Sequence, residues 1–160
     1  MAAPFDLGQF EACCEQLYTS PDPQARKTAE AALVQMSTNP ACIPQCQFVL
    51  DNSAQPYAQL VAANALRKLV VVSWNNLNGE QRLGFRNYLL GYLANHGPTR
   101  QPFICKSLIQ LVAAITKLGW LEAEEHQQIV AEVDKFLHAS AQHLVLGLQA
   151  RAPLLSSAAW

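Results

Sequence analysis

Five cysteines and four histidines are the residues of this 160-residue chain with the most chemical reach. Cys42 and Cys46 stand four apart, so on a helix they share a face and could offer two ligands to a metal. No histidine or further cysteine follows at zinc-finger spacing, which leaves structural thiols as the better reading of the pair. Cys13 and Cys14 read as a core thiol and its neighbour rather than a redox pair. Cys105 makes the count odd, and no compact framework appears, so reduced thiols in the cytosol or nucleus are expected. His138 and His143 lack the HExxH arrangement of a zinc hydrolase. Glu122, Glu124 and Glu125 read as acids at a helix N-terminus, where they complement the dipole. There is no glycine-rich phosphate loop and no nucleophile elbow. The sequence therefore points to no metal, no cofactor and no enzyme.

The totals narrow the classes further. Hydrophobic residues make up 51% of the chain and charged residues 14%, against a typical quarter. Such a chain buries most of itself or leaves apolar surface for a partner. A net charge of −1 argues against nucleic acid, which demands a dense basic patch. The N-terminus has no basic region followed by an apolar stretch, so no signal peptide is read. No uninterrupted apolar run of about 18 residues suggests a membrane span.

The elements behind these residues are helical almost throughout, without strand alternation. Leu7, Phe10, Cys14 and Leu17 mark a first helix near 5–19. Asp22 and Pro23 open a second to about Met36, with Ala29, Leu33 and Met36 on one face. A third starts at Asn39-Pro40, or nearer Ile43 given the position of Pro44, and ends near Leu50. Pro56 opens a fourth that runs into Trp74. A fifth spans about Glu80 to Ala94, with Leu83, Phe85, Tyr88, Leu89 and Tyr92 partly buried. Gly97-Pro98 stops it. Thr99 is expected to cap a sixth helix to about Leu118, which Gly119 ends. A seventh is expected over 122–138 and an eighth from near Ala139. Trp74 and Trp120 should pack between adjacent helix pairs.

Pairs recur about every 40 residues, close to the period of HEAT-type repeats. One hairpin cannot bury its own apolar face, whereas stacked hairpins can, so the expected architecture is all-α: HEAT-like hairpins stacked as an α-solenoid. About four pairs fill residues 1–149. Residues 150–160 read as a divergent tail, and the apolar end suggests an array cut short where a polar capping repeat would stand.

Several segments carry a resemblance. "AEAALVQM" (29–36) and "QLVAANALRKLVVVSW" (59–74) are similar to the N-terminal signature of the importin-β superfamily. "CEQLYTS" (14–20), "ACIPQCQFVL" (41–50), "RNYLLGYLA" (86–94) and "SLIQLVAAITKLGW" (107–120) resemble its exportin-seven branch, with its Ran-binding relatives. The likeness covers about residues 8–149. It implies a nuclear transport receptor, at work in nucleus and cytoplasm and at the nuclear pore complex. Its first hairpins would grip the GTP-bound small GTPase Ran through second-helix side chains. Phenylalanine-glycine repeats of the pore could touch the outer helices, and protein cargo would need the full-length chain. No nucleic acid and no membrane partner are implied.

The second helices supply the candidates. On the fourth helix Leu66, Leu69 and Val70 form the core face, and Asn64, Lys68 and Val71 a second line. On the sixth, Leu108, Leu111, Val112 and Ile115 are core, and Lys106, Gln110, Ala113 and Lys117 form the second line. The resemblance turns Asn64, Arg67, Lys68, Lys106 and Gln110 into a contact strip for Ran. The competing reading is that these are solvated side chains on wet helix faces, most of which contribute nothing measurable. A generic helical-repeat scaffold that holds a peptide or helix in its groove remains the alternative function.

Overall fold

The structure, a computed structural model, describes residues 5–139, 145, 147–151 and 153. Among them every regular element is a helix, and the fold is all-α as read from the periodicity. The chain divides between Val70 and Val71 into two compact units.

In the first unit Asp6 caps α1 (Leu7–Thr19), accepting from the Gln9 amide at 3.1 Å. Asp22 caps α2 (Pro23–Thr38), accepting from the Gln24 amide at 2.9 Å, with Pro23 where no N–H is needed. α1 buries Phe10 and Cys14, α2 buries Ala29, Leu33 and Met36, and the two helices pack on each other. The third helix starts late. Pro40–Cys42 is a 3₁₀ turn, and α3 runs Ile43–Asn52 with Pro44 in its first turn. Pro44 has no N–H to donate, and only the first turn tolerates that loss. α4 (Pro56–Ser73) begins in this unit and buries Ala58, Ala62, Ala63, Leu66, Leu69 and Val70.

The second unit begins with the last turn of α4 and a 3₁₀ turn at Trp74–Asn76. α5 (Gly79–His96) opens on a reciprocal capping box: Asn78 accepts from the Gln81 amide and Gln81 from the Asn78 amide. Thr99 does not cap the next helix. It ends a 3₁₀ turn at Gly97–Thr99, and its hydroxyl donates to the His96 carbonyl at 3.0 Å. Gln101 stands at the N-cap of α6 (Pro102–Gly119), its backbone extended at φ −62°, ψ 139°. Leu108, Leu111, Val112 and Ile115 are buried as read, but so is Ala113, expected on the outward line. A methyl fits between packed helices, so alanine reports little about facing. By length and composition α6 could cross a membrane, yet 61% of it is buried, as in the core helix of a globular unit.

The seventh helix is broken where continuity was expected. α7 (Glu124–Gln127) is a single turn, Gln128 interrupts, and α8 runs Ile129–Ala139. The break lets His126 turn inward, to 1% exposure. Ala139, expected to begin an eighth helix, is the last residue of α8; beyond it residues 145, 147–151 and 153 are helical, while His143 and most of the 150–160 tail lie outside the described residues.

Candidate functional site

The five strip residues fall on two helices. On α4 Asn64 is half-buried, while Arg67 and Lys68 are exposed one turn before the end of the first unit. Asn64 and Arg67 both carry interactions of their own. Neither Lys68 nor Lys106 has an acidic partner within ion-pair reach among the described residues. On α6 Lys106 and Gln110 are exposed and four apart, so they stack on one face. They line an open cavity of about 640 Å³ with Pro102, Phe103, Ile109, Gln149 and Pro153. Its walls are mostly apolar, Phe103 stands 41% exposed at its edge, and among the described residues no acid lines it. Such a hollow accepts an apolar side chain, and Lys106 favours a carboxylate beside it.

A second polar arrangement, unforeseen in the sequence, fixes the start of the second unit. Arg82 donates through Nε and Nη2 to the Trp74 carbonyl at 3.1 and 2.8 Å, and through Nη1 to Glu122 Oε2 at 2.7 Å. Trp74 Nε1 donates to the other Glu122 oxygen at 3.2 Å, and the Arg82 guanidinium lies 5.0 Å from the indole centroid. Glu122 is therefore a bridge between the Trp74 turn and the loop after α6, not an acid on a helix end. Trp74 is 3% exposed, with the His126 ring against it at 6.0 Å. Arg86, one turn after Arg82, is 2% exposed and donates to Glu132 Oε2 at 2.7 Å and Asn87 Oδ1 at 2.9 Å. Arg86 Nε and His126 Nδ1 are buried without a hydrogen-bond partner among the described residues.

A signal for this cluster existed. Arg82 and Arg86 share a helical stripe with Leu89 and Leu93, and an arginine on an apolar stripe needs a buried acceptor. Which acceptor was not legible, because Glu122 and Glu132 lie 40 and 46 residues downstream. Burial, and next the Arg86 charge, hold the His126 imidazole below its ordinary range, with Glu122 and Glu125 opposing and Arg82 adding a little. The thiols divide by burial. Cys14 and Cys46 are both pushed up to about 12, chiefly by desolvation, which keeps them protonated and unreactive at neutral pH. Burial also raises Cys105, whose Sγ donates to the Gly97 carbonyl at 3.3 Å.

Residues 29–95 match the Importin-beta N-terminal domain family. The chain is 41% identical over 146 residues to Exportin-7-B of Xenopus laevis, a match that covers 89% of this chain and 13% of that protein. It is 40% identical to Ran-binding protein 17 of Mus musculus over the same shares. A shorter match, 32% identical over 68 residues, joins it to Exportin-1 of Schizosaccharomyces pombe. The chain thus spans 13% of the length of the curated relatives it matches along most of its own. Asn64, Arg67 and Lys68 fall inside the matched family domain; Lys106 and Gln110 follow it.

Proposed function

Because this chain belongs to the importin-β superfamily, we propose that it is the N-terminal part of a nuclear transport receptor of the exportin type, binding the GTP-bound small GTPase Ran. The observation that carries the reading is the 40–41% identity, over 89% of the chain, to an exportin and to a Ran-binding protein. The physics of the partner fits. A GTPase reorders its switch loops when the γ-phosphate leaves, so a preformed helical surface can accept one nucleotide state and reject the other. Asn64, Arg67, Lys68, Lys106 and Gln110 are the contact residues in this reading: basic and amide groups on α4 and α6 that meet acidic and polar groups of the partner. The two lysines steer the encounter and set its salt dependence. The protein acts as a receptor and not as an enzyme, moves between nucleus and cytoplasm, and works at the nuclear pore complex. Phenylalanine-glycine repeats of the pore are secondary partners, and protein cargo requires the repeats of a full-length receptor.

The cavity under Phe103 and Ile109 favours a second reading, a helical-repeat scaffold whose groove takes a peptide or helix. Binding of the chain to Ran loaded with a non-hydrolysable GTP analogue, against Ran-GDP, separates the two. The expected result is preference for the GTP form, lost in the Lys68→Glu, Lys106→Glu double variant. Preference that survives the double variant keeps the function and discards these contacts. No preference by a chain shown to be folded by circular dichroism favours the scaffold.

A further inference from the structure

We propose that Ser20 is the acceptor for a proline-directed protein kinase, and that the phosphate it receives is held by Arg26. Of the nine prolines only Pro21 follows a serine or threonine, so Ser20 is the one Ser-Pro or Thr-Pro acceptor in the chain. Proline at the next position drives its predecessor out of the helical region. Accordingly, Ser20 is the residue at which α1 ends, with φ −65° and ψ 130°, and Asp22 continues extended at φ −79°, ψ 116°. A kinase cleft takes its acceptor in such an extended segment. Thr19, Pro21, Asp22 and Pro23 are exposed around it, and Ser20 is half-buried. The neighbouring hydroxyl does not compete, because Thr19 Oγ1 donates to the Glu15 carbonyl at 2.8 Å and serine, not proline, follows it. Ser20 Oγ accepts from the Asp22 amide at 3.2 Å, a long bond that leaves its own proton available.

In the transfer, Ser20 Oγ attacks the γ-phosphorus of a nucleoside triphosphate. The new O–P bond forms as the bond to the β-phosphate oxygen breaks, the diphosphate leaves, and the hydroxyl proton passes to the kinase's catalytic carboxylate. A neutral hydroxyl becomes a group of about −1.5 to −2 charge. Arg26 is already in position: its Nη1 donates to the Ser20 carbonyl at 3.4 Å. Turning that fork from one carbonyl to a phosphate forms charge-assisted bonds roughly twice as strong as neutral ones. Asp22 opposes it: its amide lies 3.2 Å from Ser20 Oγ, but its carboxylate is exposed, so the high dielectric of water keeps the repulsion small. Phosphorylation thus pins the turn between α1 and α2 by a new ion pair.

The folded chain is incubated with a proline-directed kinase, magnesium and ATP, and read by intact and tandem mass spectrometry. One phosphoryl group on Ser20 is expected, absent from Ser20→Ala and from Pro21→Ala, which keeps the hydroxyl and removes the recognised proline. No incorporation into the folded chain, or incorporation that survives Ser20→Ala, overturns the site. Phosphorus NMR then follows the phosphate's second ionisation. It should fall lower in the wild type than in phosphorylated Arg26→Gln by about half a pH unit, as a nearby cation favours the dianion. Equal values overturn the role of Arg26.

Discussion

His126 is an imidazole with almost no contact with water, within the field of Arg86 and, more weakly, Arg82, and its charge state is bound to folding. The folded chain resists a proton there, because burial and the Arg86 charge disfavour the cation; the unfolded chain accepts one at the ordinary value of 6.5. The folded value lies below the unfolded one, so unfolding takes up a proton. Stability from this group is therefore complete above about pH 6.5 and drains as pH falls from there toward the folded value, by at most about 1.4 kcal/mol per pH unit. Urea unfolding midpoints at several pH values above and below 6.5 should show that loss. His126→Gln, whatever its absolute stability, should show a flatter slope in this window. A variant with the same slope as the parent would assign the pH dependence to other groups. The same residue defeats reading from sequence: "EEHQQ" looks like a wet helix surface, and only Gly119, Trp74 and Arg86 together make it a core position.

At the scale of the element, α6 ends where it does because α7 folds back against it. A Cβ on Gly119 would sit 2.6 Å from the His126 ring, and the ring is walled in by the unit's core. Gly119→Ala is therefore expected to destabilise the protein by about 1–3 kcal/mol, the cost of overpacking, although alanine is the better helix former. The thermal midpoint checks this, and a rise would mean that the ring has room to move. In the sequence Gly119 reads only as a stop signal. The helices were legible because their information is local: Asp22-Pro23, Pro56 and Gly97-Pro98 punctuate the chain, and Leu108, Leu111, Val112 and Ile115 repeat at helical spacing. The breaks with tertiary causes were not legible. Nothing within a few residues of Gln128 announces that α7 must stop there, nor does Thr99 reveal that α6 starts two residues later, with Gln101 at the N-cap position and no side chain capping it. The candidate strip was legible only as exposed polar positions on α4 and α6; the hollow beside Lys106 and Gln110 depends on Gln149 and Pro153, some 40 residues on.

At the scale of the whole molecule, low charge and exposed apolar side chains act together. Only 14% of residues are charged and the net charge is −1, so long-range repulsion between copies is slight. Leu121 is 92% exposed and Val72 81%, with Val130, Val145 and Leu148 each more than half exposed. Apolar surface with little charge to oppose contact drives association that salt does not weaken. The chain is expected to self-associate with rising concentration, as much at about 1 M salt as at about 0.15 M, although the Debye length falls from about 8 Å to about 3 Å. Sedimentation velocity across a concentration series measures this directly. Leu121→Lys with Val72→Lys should restore a single slow species, since both side chains already reach water and neither supports the core. Association abolished by salt alone would instead assign the contact to charges such as Lys68 and Lys106, the same two lysines that steer the proposed GTPase encounter. The salt series thus tells whether the surface used between copies is the one offered to the partner.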